Sequence, residues 1–315
     1  MRIIEWNCQG AFRKKNDKIL ELQPDILIVP ECESEDKLEF GKLTPKPADF
    51  FWYSDSGNKG IGVFSYSDYK FELLKEFNPK FRYIIPLKVT DKDSSFLLFA
   101  VWAMDNKENR EARYIAQVWL ALQYYSRLLN LSSIFVGDFN SNQIWDEKER
   151  LGNHTDVVEI FRSNNILSMY HEQNKVAHGQ EKEHTFHMYR KIEKPYHIDY
   201  CFASADFINV GFDIQLGKPN EWLEYSDHVP IIIQTSRPTN YLNLNNSLFD
   251  NITHKINQLN SLTIDKFATT IEKVKTKSFN FDLTEHQDEK SEILNVMDRL
   301  LEIDKHINEL IKNGY

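Results

Sequence analysis

Cysteine is scarce in this chain, and the cysteines that are present form no recognisable framework. Among 315 residues there are three, Cys8, Cys32 and Cys201. Their number is odd, their spacing is wide and no CxxC pair occurs, which argues against a disulfide scaffold and a zinc ribbon. The chain is also long enough to bury a sizeable core without cross-links. We therefore expect free thiols in a reducing compartment.

Long apolar runs are also missing. No window approaches the roughly 18 apolar residues that a membrane-spanning helix needs. Glu5 and Asn7 fall where a secretory signal peptide would carry its apolar region. The sequence therefore predicts a soluble, cytoplasmic protein with no membrane partner.

Basic residues are outnumbered by acidic ones. The chain has 38 Lys and Arg against 47 Asp and Glu, for a net charge of −9. Proteins that neutralise phosphates usually present a basic face, so this balance gives no direct argument for nucleic-acid binding. It does not exclude a nuclease, because a carboxylate-rich metal site adds negative charge that the bound ion offsets.

Short apolar runs separated by turn residues dominate the chain up to Pro238. Their length and their β-branched and aromatic content predict strands. The runs are Arg2–Trp6, Ile26–Pro30, Ile61–Ser65, Tyr83–Val89, Phe96–Trp102, Ser133–Gly137, Ile198–Ala203 and Val229–Thr235. Helical spacing predicts helices over 13–22, 109–130 and 156–165. Many strands with few interleaved helices favour a layered α/β sandwich of mixed sheets.

The pattern changes after Pro238, where strand-like runs end. Apolar residues from Ile293 to Leu310 recur with a heptad-like spacing. We expect one domain over 1–237 and a helical C-terminal extension over 238–315. The last helix either packs on its own core or mediates self-association or binding to a partner protein.

Polar residues stand at the ends of several predicted strands. The run Ile134–Val136 stops at Gly137, and Asp138 and Asn140 follow on the same side of an extended backbone. Further residues of this kind are Asn7, Glu31, Asp199, Asp227 and His228. Such a pattern is typical of strands that deliver polar groups into a cleft.

These residue types have the chemistry of a metal-assisted site. Oxygen ligands such as Glu31, Asp227 and Asn7 suit a hard divalent cation, Mg²⁺ or Mn²⁺, and leave room for phosphate oxygens. His228 beside Asp199 would form a dyad in which the carboxylate fixes the imidazole tautomer.

The ordered series of these motifs resembles the endonuclease/exonuclease/phosphatase superfamily. The matching segments are Trp6-Asn7, Pro30-Glu31, Gly60–Val63, Gly137–Asn140, His197–Tyr200 and Ser226–His228. Each segment is short, but together they follow the order of the family over roughly residues 1–237. The resemblance implies a four-layer α/β sandwich, in which two mixed β-sheets lie face to face and helices flank them.

The resemblance also implies a role for each matching residue. Glu31 would be the principal metal ligand, with Asn7 and Asp227 completing or supporting the site. The reaction would be in-line attack of water on a phosphoester, without a covalent enzyme intermediate.

Four further residues would act on the reacting groups. The resemblance implies that Asp138 orients or deprotonates the attacking water and that Asn140 positions this water and a phosphate oxygen. Asp199 and His228 would be the dyad.

Two positions depart from the family pattern. Trp102 ends a strand where family members commonly carry a histidine or tyrosine that touches the phosphate or helps to protonate the leaving oxygen. An indole offers only its N–H. Either metal-bound water, Arg113 or Tyr114 supplies that proton, or the leaving group needs little help. Gln9 stands where apurinic endonucleases place an aspartate that supports the metal, which weakens the case for that subfamily.

Substrate contacts are expected from residues around these motifs. The segment from Gly179 to Phe186 resembles a family loop near the substrate, which points to Thr185 or Phe186 as a substrate contact. The other expected contacts are Trp102, Arg113, Tyr114 and Asn142.

We expect a Mg²⁺- or Mn²⁺-dependent phosphodiesterase that acts on DNA or RNA. An alternative is a phosphatase or phosphodiesterase for a small phosphorylated molecule or a lipid head group, which the acidic charge favours. An alternative of another class is a catalytically decayed interaction protein that presents its C-terminal helices to a partner.

Overall fold

The computed structural model describes residues 1–55, 57–107, 112–148, 150 and 152–236. The helical extension predicted for 238–315 lies outside these residues. Within the described part of the chain, no helix combines the length and the apolar character needed to cross a membrane.

The first sheet contains the N-terminal strand. Its strands are β1 (Arg2–Glu5), β2 (Ile26–Cys32), β3 (Asp49–Tyr53), β4 (Gly60–Ser65), β13 (Phe212–Leu216) and β14 (Ile231–Thr235). Their order across the sheet is β13-β14-β1-β2-β4-β3. The pair β1 and β2 is parallel, and the other neighbouring pairs are antiparallel.

The second sheet has the same mixed character. Its strands are β5 (Lys70–Leu73), β6 (Ile84–Thr90), β7 (Ser95–Trp102), β8 (Ser133–Asp138), β9 (Ile166–Ser168) and β12 (Asp199–Ser204), in the order β5-β6-β7-β8-β12-β9. Here β7 and β8 are parallel. A separate two-stranded hairpin pairs β10 (Phe186–His187) with β11 (Pro195–Tyr196).

Alternate strand residues bury their side chains on opposite faces of each sheet. Ile3 of β1 and Leu98 of β7 belong to one core that draws residues from both sheets. Ile4 and Phe99, the next residues along these strands, belong to two different outer cores. Both faces of each sheet are therefore apolar, which explains why these strands read as continuous apolar runs.

In the residues that the structure describes, helices flank the sheets: five cover the outer faces, and two short ones, residues 169–174 and 205–209, contribute Met169 and Phe207 to the core between the sheets. They are α1 (Asn16–Leu20), α2 (Glu35–Leu38), α3 (Ile115–Tyr124), α4 (His154–Ser163), α5 (Met169–Asn174), α6 (Ala205–Asn209) and α7 (Pro219–Trp222). Ile19 and Trp222 pack on the first sheet, and Val118 and Val157 pack on the second. The predicted four-layer sandwich is confirmed.

The predicted strands are all present, each within two residues at either end. The helix predicted over 156–165 is present as α4, with the expected length and shifted by two residues, whereas the other two predicted helices are shorter than expected. The helix expected over 109–130 becomes α3 followed by a 3₁₀ turn at Ser126–Leu128, and the helix expected over 13–22 becomes a 3₁₀ turn at Phe12–Lys14 and α1.

Candidate active site

Strand ends from both sheets bring the predicted site residues to one edge of the sandwich. The parallel strands β1 and β2 lead to Asn7 and Glu31, while the antiparallel strand β14 begins just after His228. In the second sheet, Asp138 at the end of β8 pairs directly with Asp199 at the start of β12. The parallel strands β1 and β2 end at the edge where the antiparallel strand β14 begins, which explains how residues distant in sequence converge there.

The Asp138 carboxylate is the centre of a buried hydrogen-bond network. Its Oδ2 accepts from Asn7 Nδ2 and from Asn140 Nδ2, both at 3.0 Å, and its Oδ1 accepts from the Asn140 backbone N–H at 2.8 Å. Asn140 has a left-handed backbone with φ of 48°, which turns its side chain back toward Asp138. Burial, followed by the charge of Asp199, raises the pKa of Asp138.

Asp199 and His228 form the predicted dyad. His228 Nδ1 lies 2.9 Å from Asp199 Oδ2 and 3.1 Å from Oδ1, and both side chains are buried. Burial disfavours the charged imidazolium, but the neighbouring Asp199 carboxylate outweighs it and the pKa of His228 rises to about 10. Ligand atoms of Asp138, Asp199 and His228 all lie within 4.8 Å of one another, so the dyad and the Asp138 network form one cluster.

Glu31 and Asp227 are the more exposed carboxylates of the site. Their side chains are 22% and 17% exposed, and Glu31 Oε2 lies 2.6 Å from Lys59 Nζ. Burial raises the pKa of Asp227, and the nearby charge of Glu31 adds to that increase. Two neighbouring carboxylates, together with the amide oxygen of Asn7, are a donor set that a hard divalent cation binds. The residues therefore fit the predicted ion.

Trp6 and Ser226, two residues of the segments that resemble the family, hydrogen-bond to the loops at this edge of the sandwich. Trp6 Nε1 donates to the backbone carbonyl of His228 at 3.0 Å. Ser226 Oγ donates to the backbone carbonyl of Asn7 at 2.7 Å and accepts from the His228 backbone N–H at 3.1 Å. These bonds fix the first strand against the loop that carries Asp227 and His228.

Trp102 belongs to the core instead of the cleft. Its side chain is 6% exposed, and its ring centroid lies 4.8 Å from that of Tyr83. It packs in the core shared by the two sheets. A contact of Trp102 with substrate stays a prediction.

Thr185 and Asn142 are also buried, at 0% and 2% exposure. Thr185 Oγ1 accepts from the backbone N–H groups of Ile198 and Asp199, both at 3.0 Å. Asn142 Nδ2 donates to the backbone carbonyl of His197 at 2.9 Å. Both side chains position the segment that carries Asp199. Their contact with substrate stays a prediction.

Arg113 and Tyr114 immediately precede α3. Tyr114 is 38% exposed, has φ of 52° and donates its backbone N–H to the Met104 carbonyl at 2.7 Å. A role of either residue in protonating the leaving oxygen stays a prediction.

Sequence reasoning missed two features beside the site. Glu5 is fully buried, and among the described residues neither of its carboxylate oxygens has a hydrogen-bond partner. Burial, and then the charges of Asp199 and Asp138, raise the pKa of Glu5. The signal available in the sequence was an acidic residue inside an apolar strand. The second feature is a contact between Gln9 and Arg190. No sequence pattern indicates this contact, because both residues lie in polar loops.

Comparisons with known proteins agree with this geometry. A sequence model of the Endonuclease/Exonuclease/phosphatase family matches residues 4–228. Among curated protein sequences, none matches the chain.

Several solved structures share the fold. A 3'-5' exonuclease (NExo) from Neisseria meningitidis is 16% identical, with a TM-score of 0.51 over 75% of this chain and 100% of its own. An AP endonuclease from Archaeoglobus fulgidus is 15% identical, with a TM-score of 0.54 over 75% of this chain and 99% of its own. TDP2 from D. rerio, complexed with a single-strand DNA product, is 17% identical, with a TM-score of 0.53 over 75% of this chain and 98% of its own.

At these identities the solved structures establish the fold, and the family assignment comes from the sequence model, which spans residues 4–228. The chain belongs to the endonuclease/exonuclease/phosphatase family, whose members are metal-dependent hydrolases of phosphoester bonds.

Proposed function

We propose that the protein is a Mg²⁺- or Mn²⁺-dependent nuclease that hydrolyses phosphodiester bonds of DNA or RNA by in-line attack of water. The observation that carries this proposal is the convergence of Asp138, Asp199 and His228, whose ligand atoms lie within 4.8 Å of one another at the edge where both sheets end. At this spacing, the Asp138 carboxylate and the Asp199–His228 dyad can contact the same phosphoryl group.

Glu31, Asp227 and Asn7 would hold the divalent ion. A bound divalent ion neutralises charge that builds on the phosphoryl oxygens during the displacement. The two carboxylates are the most exposed acidic groups of the site, which suits residues that share an ion with a substrate from solution.

Asp138 and Asn140 would hold the attacking water. Asn7 and Asn140 both donate to the Asp138 carboxylate, which fixes its orientation and directs it to accept a proton from water. Asp199 occupies Nδ1 of His228, so the remaining ring nitrogen, Nε2, would donate to a phosphate oxygen.

Two observations favour a nucleic-acid substrate. The D. rerio TDP2 structure of the same fold is complexed with a single-strand DNA product. In the present chain, Lys15 and Arg190 lie close enough to Asp227 for their charges to interact with it, so cations adjoin the carboxylates where a phosphate backbone would pass.

A second candidate is hydrolysis of a small phosphorylated molecule or a lipid head group. The net charge of −9 favours it, because a small phosphate needs fewer neutralising cations than a polynucleotide.

A substrate panel with Mg²⁺ and Mn²⁺ tests the proposal. The panel contains plasmid DNA, single-stranded DNA and RNA oligonucleotides, phosphorylated metabolites and phospholipid head groups. We expect the oligonucleotides or plasmid to be cleaved, EDTA to abolish cleavage, and Glu31→Gln to lower kcat by at least about 100-fold. Glu21→Gln is the matched control, since Glu21 is an exposed residue that pairs with Lys18.

Two results would contradict the proposal. Metal-dependent cleavage that is unchanged in Glu31→Gln would overturn the assignment of the site. Hydrolysis of phosphorylated metabolites or head groups, with DNA and RNA left intact, would establish the second candidate instead.

A further inference from the structure

Gln9 joins two groups of opposite charge beside the proposed metal site. Its Nε2 donates to Asp227 Oδ2 at 2.8 Å, and its Oε1 accepts from Arg190 Nε at 2.9 Å and from Nη2 at 2.5 Å. A carboxylate can only accept and a guanidinium can only donate. The amide orientation is therefore fixed, because a flipped amide would oppose both partners.

Arg190 is itself anchored to the loop that carries Asp227. It lies in the turn between β10 and β11, and its guanidinium donates to the backbone carbonyls of Glu224 at 2.8 Å and Tyr225 at 3.2 Å. The same hairpin contacts Asp227 directly, because the His187 backbone N–H donates to the Asp227 carbonyl at 2.7 Å. Arg190 thus offers Gln9 a donor whose position is set by the loop of Asp227.

The backbone at both residues is held in a costly conformation. Gln9 has φ of 54° and Arg190 has φ of 58°, both in the left-handed region that disfavours residues other than glycine. The turn at Gln9 also directs its backbone N–H to Asn7 Oδ1, at 3.0 Å. Gln9 therefore contacts Asn7 through its backbone and Asp227 through its side chain.

This arrangement determines which oxygen of Asp227 is available. Gln9 occupies Oδ2, while Oδ1 lies 4.0 Å from His228 Nε2, on the side of the dyad. A carboxylate that is hydrogen-bonded on one oxygen presents the other in a fixed direction, which is how outer residues orient metal ligands. The guanidinium polarises the amide and strengthens its bond to the carboxylate.

We propose that Gln9, held by Arg190, is a positioning residue that fixes the Asp227 carboxylate for binding of the divalent ion. This inference rests on the proposed function, since it assumes that the ion binds at Glu31 and Asp227.

The test measures Mn²⁺ affinity without substrate, from the electron paramagnetic resonance signal of free Mn²⁺. We expect Gln9→Met, which keeps the length of the side chain and removes the amide, to raise the Kd for Mn²⁺ by about 10-fold or more. Gln23→Met is the matched control, because Gln23 is an exposed glutamine with φ of 53° that precedes β2 at its opposite end. It should bind Mn²⁺ as the wild type does.

A double-mutant cycle tests the part played by Arg190. Arg190→Met should also weaken Mn²⁺ binding, and the double variant should be no weaker than Gln9→Met alone if Arg190 acts through Gln9. Thermal unfolding in EDTA checks that each variant folds. If Gln9→Met does not fold, the exposed Arg190→Met carries the test.

The outcomes separate this inference from the proposed function. Equal Mn²⁺ binding by the wild type and Glu31→Gln would overturn the assignment of the metal site itself. Loss of binding in Glu31→Gln, with wild-type affinity in folded Gln9→Met or Arg190→Met, would overturn the inference alone. Additive effects in the cycle would overturn the role of Arg190 through Gln9.

Discussion

Thr185 influences the candidate site without reaching the cleft. Its hydroxyl accepts from the backbone N–H groups of Ile198 and Asp199, each at 3.0 Å, and its carbonyl accepts from the Val229 N–H at 2.8 Å. One buried residue therefore fixes the backbone on both sides of the dyad, at Asp199 and next to His228. A threonine suits this position because both its hydroxyl and its backbone carbonyl accept hydrogen bonds from backbone N–H groups.

Thr185→Val should lower both stability and activity. The substitution keeps the shape of the side chain but leaves two buried N–H groups without their acceptor, at about 1–3 kcal/mol each. The free energy of unfolding, measured by urea denaturation, should fall accordingly, and kcat should fall because Asp199 is no longer held.

Thr185→Ser is the control for this prediction, since it retains the hydroxyl and should keep most of the activity. Wild-type stability in Thr185→Val would show that the two N–H groups find other acceptors.

The positions of candidate site residues were predictable where a polar side chain ends an apolar strand. Asp138 and Asp199 are such residues, and β-strand geometry alone brings them together. The burial of each side chain was harder to predict, because the order of the motifs does not indicate whether a side chain faces the cleft or the core. For Trp102, the period-2 alternation of side chains along β7 does predict burial, since Leu98 and Trp102 are four residues apart on one face of the strand and share one core.

Among the elements, β8 depends on a glycine immediately before its last residue, Asp138. Gly137 has φ of 149°, and a Cβ atom added there would lie 1.8 Å from the backbone carbonyl oxygen of Val101 in β7. The backbones of β7 and β8 approach each other closely at this point, next to Asp138. Gly137 therefore sets the position of Asp138 through the pairing of two central strands.

Gly137→Ala should be strongly destabilising. A clash with backbone cannot be relieved by a rotamer change, so β7 and β8 must separate locally, in addition to the strain of a non-glycine residue at this φ. We expect a loss of at least about 3 kcal/mol in the free energy of unfolding, measured by denaturant titration.

Gly211→Ala separates the clash from the strain. Gly211 has φ of 87° but no atom within 4 Å of an added Cβ, so its replacement should cost about 1 kcal/mol through strain alone. Equal losses in the two variants would show that the approach of β7 to β8 is not what requires Gly137.

The elements that sequence reasoning missed are short or lie at sheet edges. The edge strands β5 and β13 consist mostly of exposed or partly exposed positions, so they lack the apolar runs that mark the central strands. The strand β9 has three residues, too few for a period-2 pattern to be recognised. Pairing with a neighbour, which sequence patterns do not report, determines these strands.

For the molecule as a whole, the distribution of charge matters more than its sum. The net charge is −9, yet Lys15, Lys59 and Arg190 adjoin the carboxylates of the candidate site. Lys15 Nζ donates to the Cys8 carbonyl at 2.6 Å, which holds this cation beside the loop of Asn7 and Gln9. If these three cations carry the binding of a polynucleotide, the protein contacts few phosphates, and those lie near the candidate site.

This charge distribution predicts a shallow salt dependence of binding to single-stranded DNA. If Lys15, Lys59 and Arg190 neutralise three phosphates, log K should fall with log salt concentration at a slope of about −2, since each phosphate on a single strand contributes about −0.7. Affinity should therefore fall roughly 15-fold between 50 and 200 mM salt. Fluorescence anisotropy of a labelled oligonucleotide with Asp138→Asn, a variant that prevents cleavage, measures this slope. Lys15→Met should reduce it by about 0.7, whereas a slope near zero in the parent variant would contradict contact with the phosphate backbone.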